Sequence, residues 1–497
     1  MTDDLHAVRR QKLARLREQG DAYPNDFKPS HTAAELRALH GEKSREQLAA
    51  ESPAAQIGGR LMLRRQMGKA IFFTVQDGAA RLQIYAARDI LGEESFAAIG
   101  EWDIGDIIAG EGVLFKTRTD ELTLRAANLR LLVKSLLPPP EKFHGLADPD
   151  LRYRRRYVSL LANPAERAVF AMRADIIRRI RDFFHARDYL EAETPILQPI
   201  PGGAAARPFI THCHALGCDF YLRIAQELYI KRLLVGGFNR VFEINRNFRN
   251  EGVSTRHNPE FTMLEFNAAY HTCEDFMELT EELLHGLVVG LTGGEQMTYQ
   301  GQTLSFRRPF ARLSPTEAVR RAHPDITEAQ LQDADFLRAR LVAEGVETAG
   351  RTMGELQLLL FEYLAEDTLQ EPTFLVDYPA AASPLARRKP NHPEQAERFE
   401  LFVAGRELVN GFSELNDADA QAEIFRRQAE LKSGGDEEAM HYDDDYITAL
   451  QYGLPPNAGG GIGIDRLTML FADTPSIRDV ILFPQLRPVA KQTKEDN

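Results

Sequence analysis

Apolar residues change their spacing along this chain, and the changes divide it into regions. Over residues 4–19, Leu5, Val8, Leu13 and Leu16 recur at near-helical spacing while Arg9, Arg10, Lys12, Arg15 and Arg17 crowd the other faces. That predicts an amphipathic helix ended by Gly20. It reads either as a solvated helix packed on its neighbour or as a basic arm against a phosphate backbone. Over residues 57–134 the period falls to two, in runs 59–67, 71–76, 81–86, 107–116, 122–126 and 129–133, with turn signals at Asp77-Gly78 and Thr119-Asp120. Five or six short strands in so short a span predict a small closed barrel, of which the oligonucleotide-binding fold is one kind. Phe72, Phe73 and Tyr85 on such strands either fill the core or stack single-stranded bases, and Arg64, Arg65 and Lys69 are placed to hold phosphates.

Leu136-Leu137-Pro138-Pro139-Pro140 is stiff, cannot continue a strand, and marks a linker. Asn163-Pro164-Ala165-Glu166 then has the form of a helix start, with a capping Asn, Pro at the first helical position and Glu reaching back. The helix carries Ile176, Ile177, Ile180, Phe183 and Phe184 on one side. Beyond it strands and helices mix without regular βαβ alternation, which predicts an antiparallel sheet flanked by helices. The expected division is a helical extension (1–55), the barrel (56–137), a linker (138–162) and a large α+β domain (163–497).

Composition changes this picture little. Three cysteines in 497 residues build no disulfide framework and fit a reducing, cytoplasmic compartment. No run of eighteen or more uncharged apolar residues is present, and the acidic N-terminus is not a secretory signal. The net charge of −13 argues against a nucleic-acid partner, but residues 1–140 hold 20 basic against 19 acidic side chains, which leaves the acidic excess in the remainder. Clustered basic groups bind phosphate locally, because charge is screened within about 10 Å.

Three segments carry candidate chemistry. In 240–270, two alternating runs (241–248 and 260–268) flank a polar loop, the pattern of two antiparallel strands and a long hairpin. Arg246, Arg249, Arg256 and His257 gather there beside Glu251 and Glu260; an arginine fixed at a strand end grips phosphate oxygens in bidentate fashion. Gly459-Gly460-Gly461-Ile462-Gly463-Ile464-Asp465-Arg466-Leu467 fits neither phosphate-loop pattern. It reads as a strand of little bulk against which a ligand lies, entering a helix through Asp465 with Arg466 near the positive helix start. Glu400 and Glu407 supply oxygens suited to magnesium, or are solvated surface, and Asn410, Phe412 and Glu414 alternate along one face. His212-Cys213-His214 with Cys218 has zinc-ligand residue types, but consecutive strand residues face opposite sides.

Together these segments resemble the class II aminoacyl-tRNA synthetases. Phe248-Arg249-Asn250-Glu251 with His257 and Phe261 looks like motif two, residues 461–467 like motif three, and 184–197 like motif one, the family's dimer interface. PGGAAARPF (201–209), RHNPEFTM (256–263), NGFSELND (410–417) and YGLPP (452–456) narrow the resemblance to lysyl-tRNA synthetases. MGKA (67–70) and KFHGL (142–146) extend it into the barrel and linker.

The resemblance implies an N-terminal five-stranded oligonucleotide-binding barrel and a C-terminal class II synthetase domain, which activates L-lysine with ATP and passes it to the lysine tRNA. It implies a homodimer, Mg2+, and no membrane or DNA partner. Arg249 would hold the α-phosphate, Arg466 the triphosphate and one adenine face, Phe261 the other face, Glu251 the exocyclic amine, and His257 the β- and γ-phosphates. Glu400 and Glu407 would ligate magnesium. Gly203, Glu227, Glu265, Asn267, Asn410, Phe412 and Glu414 would form the lysine pocket, with Glu414 for the ε-ammonium and Glu265 or Glu227 for the α-ammonium. Arg65, Phe72 and Gln83 match anticodon-reading positions. Two residues depart from the pattern: Asn267 stands where tyrosine is expected and Gln226 where proline is common. The alternatives are aspartyl- or asparaginyl-type relatives, a paralogue of altered amino-acid specificity, and a non-catalytic RNA-binding paralogue.

Overall fold

The computed structural model describes residues 2–78, 80–140 and 148–489; the segment 142–146 of the resemblance therefore lies outside the described residues. The chain falls into two compact units, Met1–Arg167 and Ala168–Asn497.

In the first unit, β1 (Ala54–Met67), β2 (Ala70–Asp77), β3 (Ala80–Ala87), β4 (Ile107–Lys116) and β5 (Leu122–Val133) close a barrel in the order β1-β2-β3-β5-β4. The runs 122–126 and 129–133 are one strand. Glu111 pairs with Asn128 and Gly112 with Ala126, so Ala127 is an extra residue that bends β5 without ending it. Inward positions such as Ile71, Phe73, Val75, Leu82 and Ile84 are fully buried. The pleat thus divides the aromatics: Phe73 fills the core while Phe72 and Tyr85 line the outer wall. Helix α1 (Thr2–Gln19) packs on the barrel through buried Leu13, through Arg9, which donates to the Ser135 and Ile104 carbonyls at 3.0 and 3.1 Å, and through Lys12, 3.0 Å from Asp103. Arg10, Arg15 and Arg17 remain exposed.

The second unit is built on β6 (Leu190–Glu191), β7 (Arg240–Phe248), β8 (Glu260–Ala269), β9 (Ala311–Leu313), β10 (Thr373–Leu375), β11 (Arg398–Phe402), β12 (Glu407–Ser413) and β13 (Asn457–Gly463). They form one sheet, ordered β9-β10-β11-β12-β13-β8-β7-β6 and antiparallel except at its two outermost pairs. Helices α2 (Pro164–His185), α4 (Cys273–Thr292) and α5 (Ile464–Phe471) bury their apolar sides against one face of it. Between them in sequence lies α3 (Glu227–Val235).

At the start of α2 the expected capping box is only half made. Asn163 Oδ1 accepts from the Ala165 amide at 3.1 Å, but Glu166 turns to Arg156 (3.1 Å) and Ser159 (2.7 Å). The amide that Glu166 would have reached already donates to the Ser159 carbonyl, and a guanidinium is the stronger partner. Among the described residues no helix is long and apolar enough to cross a membrane.

One buried polar knot holds the segment around Thr194 to the sheet. Arg223, wholly buried, donates to Glu243 at 2.9 Å and to the Thr194 carbonyl at 3.1 Å, while the Thr194 hydroxyl donates to Glu243 at 2.6 Å. Removing one member leaves the other charge stranded in the interior. Glu243→Gln is therefore expected to cost the second unit about 3–5 kcal/mol, read as a lowered midpoint of denaturant unfolding.

Candidate active site

The cleft floor follows from the two-residue strand repeat. Along β8, Leu264, Phe266 and Ala268 fill the core, while Phe261, Met263, Glu265 and Asn267 line the cleft. Next to it, β13 sends Ala458 and Ile462 into the core and sets Gly459, Gly461 and Gly463 under the cleft. On β12, Asn410 and Phe412 line the same wall, and Glu414 follows just past the strand. One cleft thereby gathers Arg249, Glu251, His257, Phe261 and Arg466 with Gly203, Glu227, Glu265, Asn267, Asn410, Phe412, Glu414 and Glu407.

At one end lies the β7–β8 hairpin loop, whose base is closed by the Arg249 amide donating to the Pro259 carbonyl at 2.9 Å. The Arg249 guanidinium stands 5.2 Å from the centre of the Phe261 ring. Among the described residues its Nε is buried and has no hydrogen-bond acceptor, which leaves a donor free for an anion. Arg466, in the first turn of α5, donates to the carbonyl (2.8 Å) and carboxylate (3.1 Å) of Glu407. Asp465 orients that turn by accepting from the Thr262 amide and from Arg173, each at 2.7 Å. Burial and the Arg466 guanidinium push the His257 imidazole below its usual range, so it is neutral near pH 7.

Glu400 does not line that cleft. It lines an adjoining cavity with Glu407, Arg256, His257 and Arg466. It pairs with Arg398 at 2.5 Å and accepts from the Tyr378 hydroxyl at 2.7 Å. Burial raises its pKa, and the Glu407 carboxylate adds to the rise against the pull of Arg398. Two hard oxygen donors in one cavity, whose mutual repulsion Arg398 and Arg466 offset only in part, fit a magnesium ion.

At the other end Gly203 adopts φ +87°, and a Cβ there would meet Ala225 and Glu227 at 3.1 and 3.2 Å, so only glycine suits the position. Glu227 opens α3, where the helix start favours a carboxylate. Lys231, one turn on, is fully buried and lies 2.5 Å from both Glu227 and Glu414. Burial opposes its charge, but the two carboxylates outweigh burial and raise its pKa. Asn267 donates to the other oxygen of Glu414 at 2.9 Å. Burial pushes Glu265 up to about 8, the Glu227 charge adding to it. The Gln226 amide donates to Glu265 at 3.3 Å, a bond that proline at that position cannot make.

Lys231 and Arg223 went unnoticed in the sequence. Lys231 had a signal: it stands four residues after Glu227, on a helix whose other buried side chains are Leu228, Ile230 and Leu234.

On the barrel, Arg65, Phe72 and Gln83 line one cavity with Tyr85, Phe115 and Arg125. Phe72 and Tyr85 lie 5.1 Å apart, and Arg125 stands 4.7 Å from the Phe115 ring centre. Aromatic faces edged with arginine suit single-stranded bases.

A barrel of this kind and a mostly antiparallel sheet carrying an arginine hairpin and a glycine strand are the two parts of a class II tRNA synthetase. The family model for class II tRNA synthetases (D, K and N) matches residues 148–487, and that for the OB-fold nucleic acid binding domain matches residues 55–132. The lysine–tRNA ligase of Cupriavidus pinatubonensis is 55% identical over 97% of this chain and 94% of its own length. Those of Ralstonia nicotianae and Nitrosomonas europaea are each 54% identical over 98% of this chain, covering 96% and 97% of their lengths. The chain belongs to the lysine–tRNA ligase family of class II tRNA synthetases.

A Cβ at Gly459 would collide with the Asn267 amide and come within 2.5 Å of Glu414 Oε1. Gly459→Ala is expected to displace both side chains and to destabilise the unit by about 1–3 kcal/mol, as overpacking does; thermal unfolding measures it.

Proposed function

We propose that this protein activates L-lysine with ATP as lysyl-adenylate and pyrophosphate, then transfers lysine to the 3′-terminal ribose of its tRNA. The observation that carries this is one cleft holding an anion-binding end and an acidic end, in a chain 55% identical to a lysine–tRNA ligase over 97% of its length.

In the first step a lysine carboxylate oxygen bonds to the α-phosphorus as the bond to pyrophosphate breaks. The carboxylate is already ionised, so no general base is needed. What is needed is alignment of two anions and neutralisation of their repulsion. Arg249, with its free Nε, holds the α-phosphate; Arg466 holds the triphosphate and covers one adenine face, with Phe261 on the other. Glu251 reads the exocyclic amine, and neutral His257 hydrogen-bonds the β- and γ-phosphates. Glu400 and Glu407 would hold magnesium, which supplies further positive charge for the phosphates when bound. In the second step the ribose hydroxyl attacks the lysyl carbonyl and AMP leaves.

Gly203, Glu227, Glu265, Asn267, Asn410, Phe412 and Glu414 form the lysine pocket, Glu414 meeting the ε-ammonium and Glu265 or Glu227 the α-ammonium. A side chain without an ammonium group would leave a buried carboxylate unpaired. Residues 56–137 read the anticodon, 163–497 perform catalysis, 138–162 link them and 1–55 extend the barrel. The active species is a cytoplasmic homodimer joined at motif one, a reading supported by the exposed Leu190, Ile196 and Leu197 there.

The deciding experiment is amino-acid-dependent ATP–pyrophosphate exchange across the twenty amino acids, ornithine and β-lysine. Exchange with L-lysine alone is expected; exchange preferring another amine would move the assignment to a paralogue of altered specificity. The same assay tests pH. Below its raised pKa, Glu265 carries a proton that an incoming ammonium must expel. The KM for lysine is therefore expected to fall as pH rises from about 6.5 towards 8. Phe72→Ala is expected to weaken tRNA binding by about 1–3 kcal/mol, seen as a raised KM for tRNA with tRNA-free exchange unchanged.

A further inference from the structure

Three carboxylates, Glu227, Glu265 and Glu414, meet at the acidic end of the cleft, and one buried ammonium, Lys231, stands among them. The other charges around this cluster cancel in pairs: Arg223 with Glu243, Arg232 with Asp443, and Arg398 with Glu400. The Tyr446 hydroxyl, raised by burial, stays protonated. Lys231 itself lies 1% exposed and 5.3 Å from the centre of the Phe412 ring, out of solvent's reach. Burial favours the protonated forms of Glu265 and Glu414 before an amino acid binds; once bound ammonium groups displace those protons, three negative charges against one positive leave a deficit of two. Free L-lysine carries two ammonium groups, and its carboxylate goes to the arginine end of the cleft, outside this cluster.

We infer that Lys231 is an internal counter-ion that fixes the charge count of the amino-acid pocket at two missing cations, and thereby makes the pocket selective for a diamino acid. The inference rests on the lysine-activating function above and deepens it. With no internal ammonium the same carboxylates would call for three cations, and a proton from water would supply the third. With one carboxylate fewer, a monoamino acid would suffice. Lys231 also positions: it fixes one oxygen of Glu414 while Asn267 fixes the other, and it fixes Glu227 across the cluster. Asn267 and the Gln226 amide, the two departures from the family pattern, each add an uncharged donor to one of these carboxylates. They orient the acids without altering the count.

The test is a charge-balance series in the full chain: Lys231→Met, Lys231→Arg, and the double variant Lys231→Met with Glu227→Gln, which restores a deficit of two. Lysine-dependent exchange is read as separate KM and kcat values, with the KM for ATP as control. Lys231→Met is expected to raise the KM for lysine about tenfold or more while leaving that for ATP within about twofold, the pattern of a lost ionic partner. Lys231→Arg and the double variant should each bind lysine better than Lys231→Met. The double variant leaves no extra buried charge, so it reports even if Lys231→Met folds poorly. A double variant no better than Lys231→Met, or a Lys231→Met protein with the wild-type lysine KM, would overturn the inference.

Discussion

The alternation of side chains across the central strands is the constraint on which the catalytic unit depends. β8, β12 and β13 lie side by side, and each must give one face to the core and the other to the cleft. Leu264, Phe266, Val409 and Ile462 occupy the first face; Phe261, Glu265, Asn410 and Phe412 occupy the second. A one-residue slip in register would exchange the two sets and bury carboxylates in the core. Register here is chemistry as much as packing.

The glycine strand β13 follows from the same constraint. It runs between two strands whose cleft-facing side chains are large, and its own cleft side carries no Cβ. Space is thereby left over its backbone, while Asn267 and Glu414 close over Gly459 from either side. The strand fits no phosphate-loop pattern; its glycines make room, and the guanidinium groups of the cleft come from elsewhere, from the β7–β8 hairpin and the first turn of α5.

Charge burial is the second theme, and it is handled by pairing. Arg223–Glu243, Lys231 with two glutamates, and Arg173–Asp465 all join elements distant in sequence or adjacent turns of one helix. In the interior such pairs specify geometry more surely than they add stability. Each ends on an element that carries or leads into a cleft-lining side chain: β7 into Arg249, α3 with Glu227 and α5 with Arg466. On the barrel the logic is simpler, because a solvent-facing cavity of Phe72, Tyr85, Arg65 and Arg125 needs no internal neutralisation.

The periodicities of the sequence were enough to locate the barrel, the long helix at Pro164, the arginine hairpin and the glycine strand, because each is a local pattern of apolar spacing or turn residues. They were enough also to tell that Asn410, Phe412 and Glu414 share a face. What they could not determine was partnership between residues far apart. Whether Phe72 or Phe73 faced outward depended on strand register, and the continuity of β5 depended on a bulge at Ala127 visible only against β4. Glu166 left its cap because Arg156 was within reach. Asn267 stood out only as a departure from the family pattern, yet it is a donor to Glu414, 147 positions away. Lys231 passed for an ordinary helix lysine until the fold brought Glu414 to it. Local spacing is written in the chain itself, whereas the pairing of buried charges is decided only when the sheet closes around them.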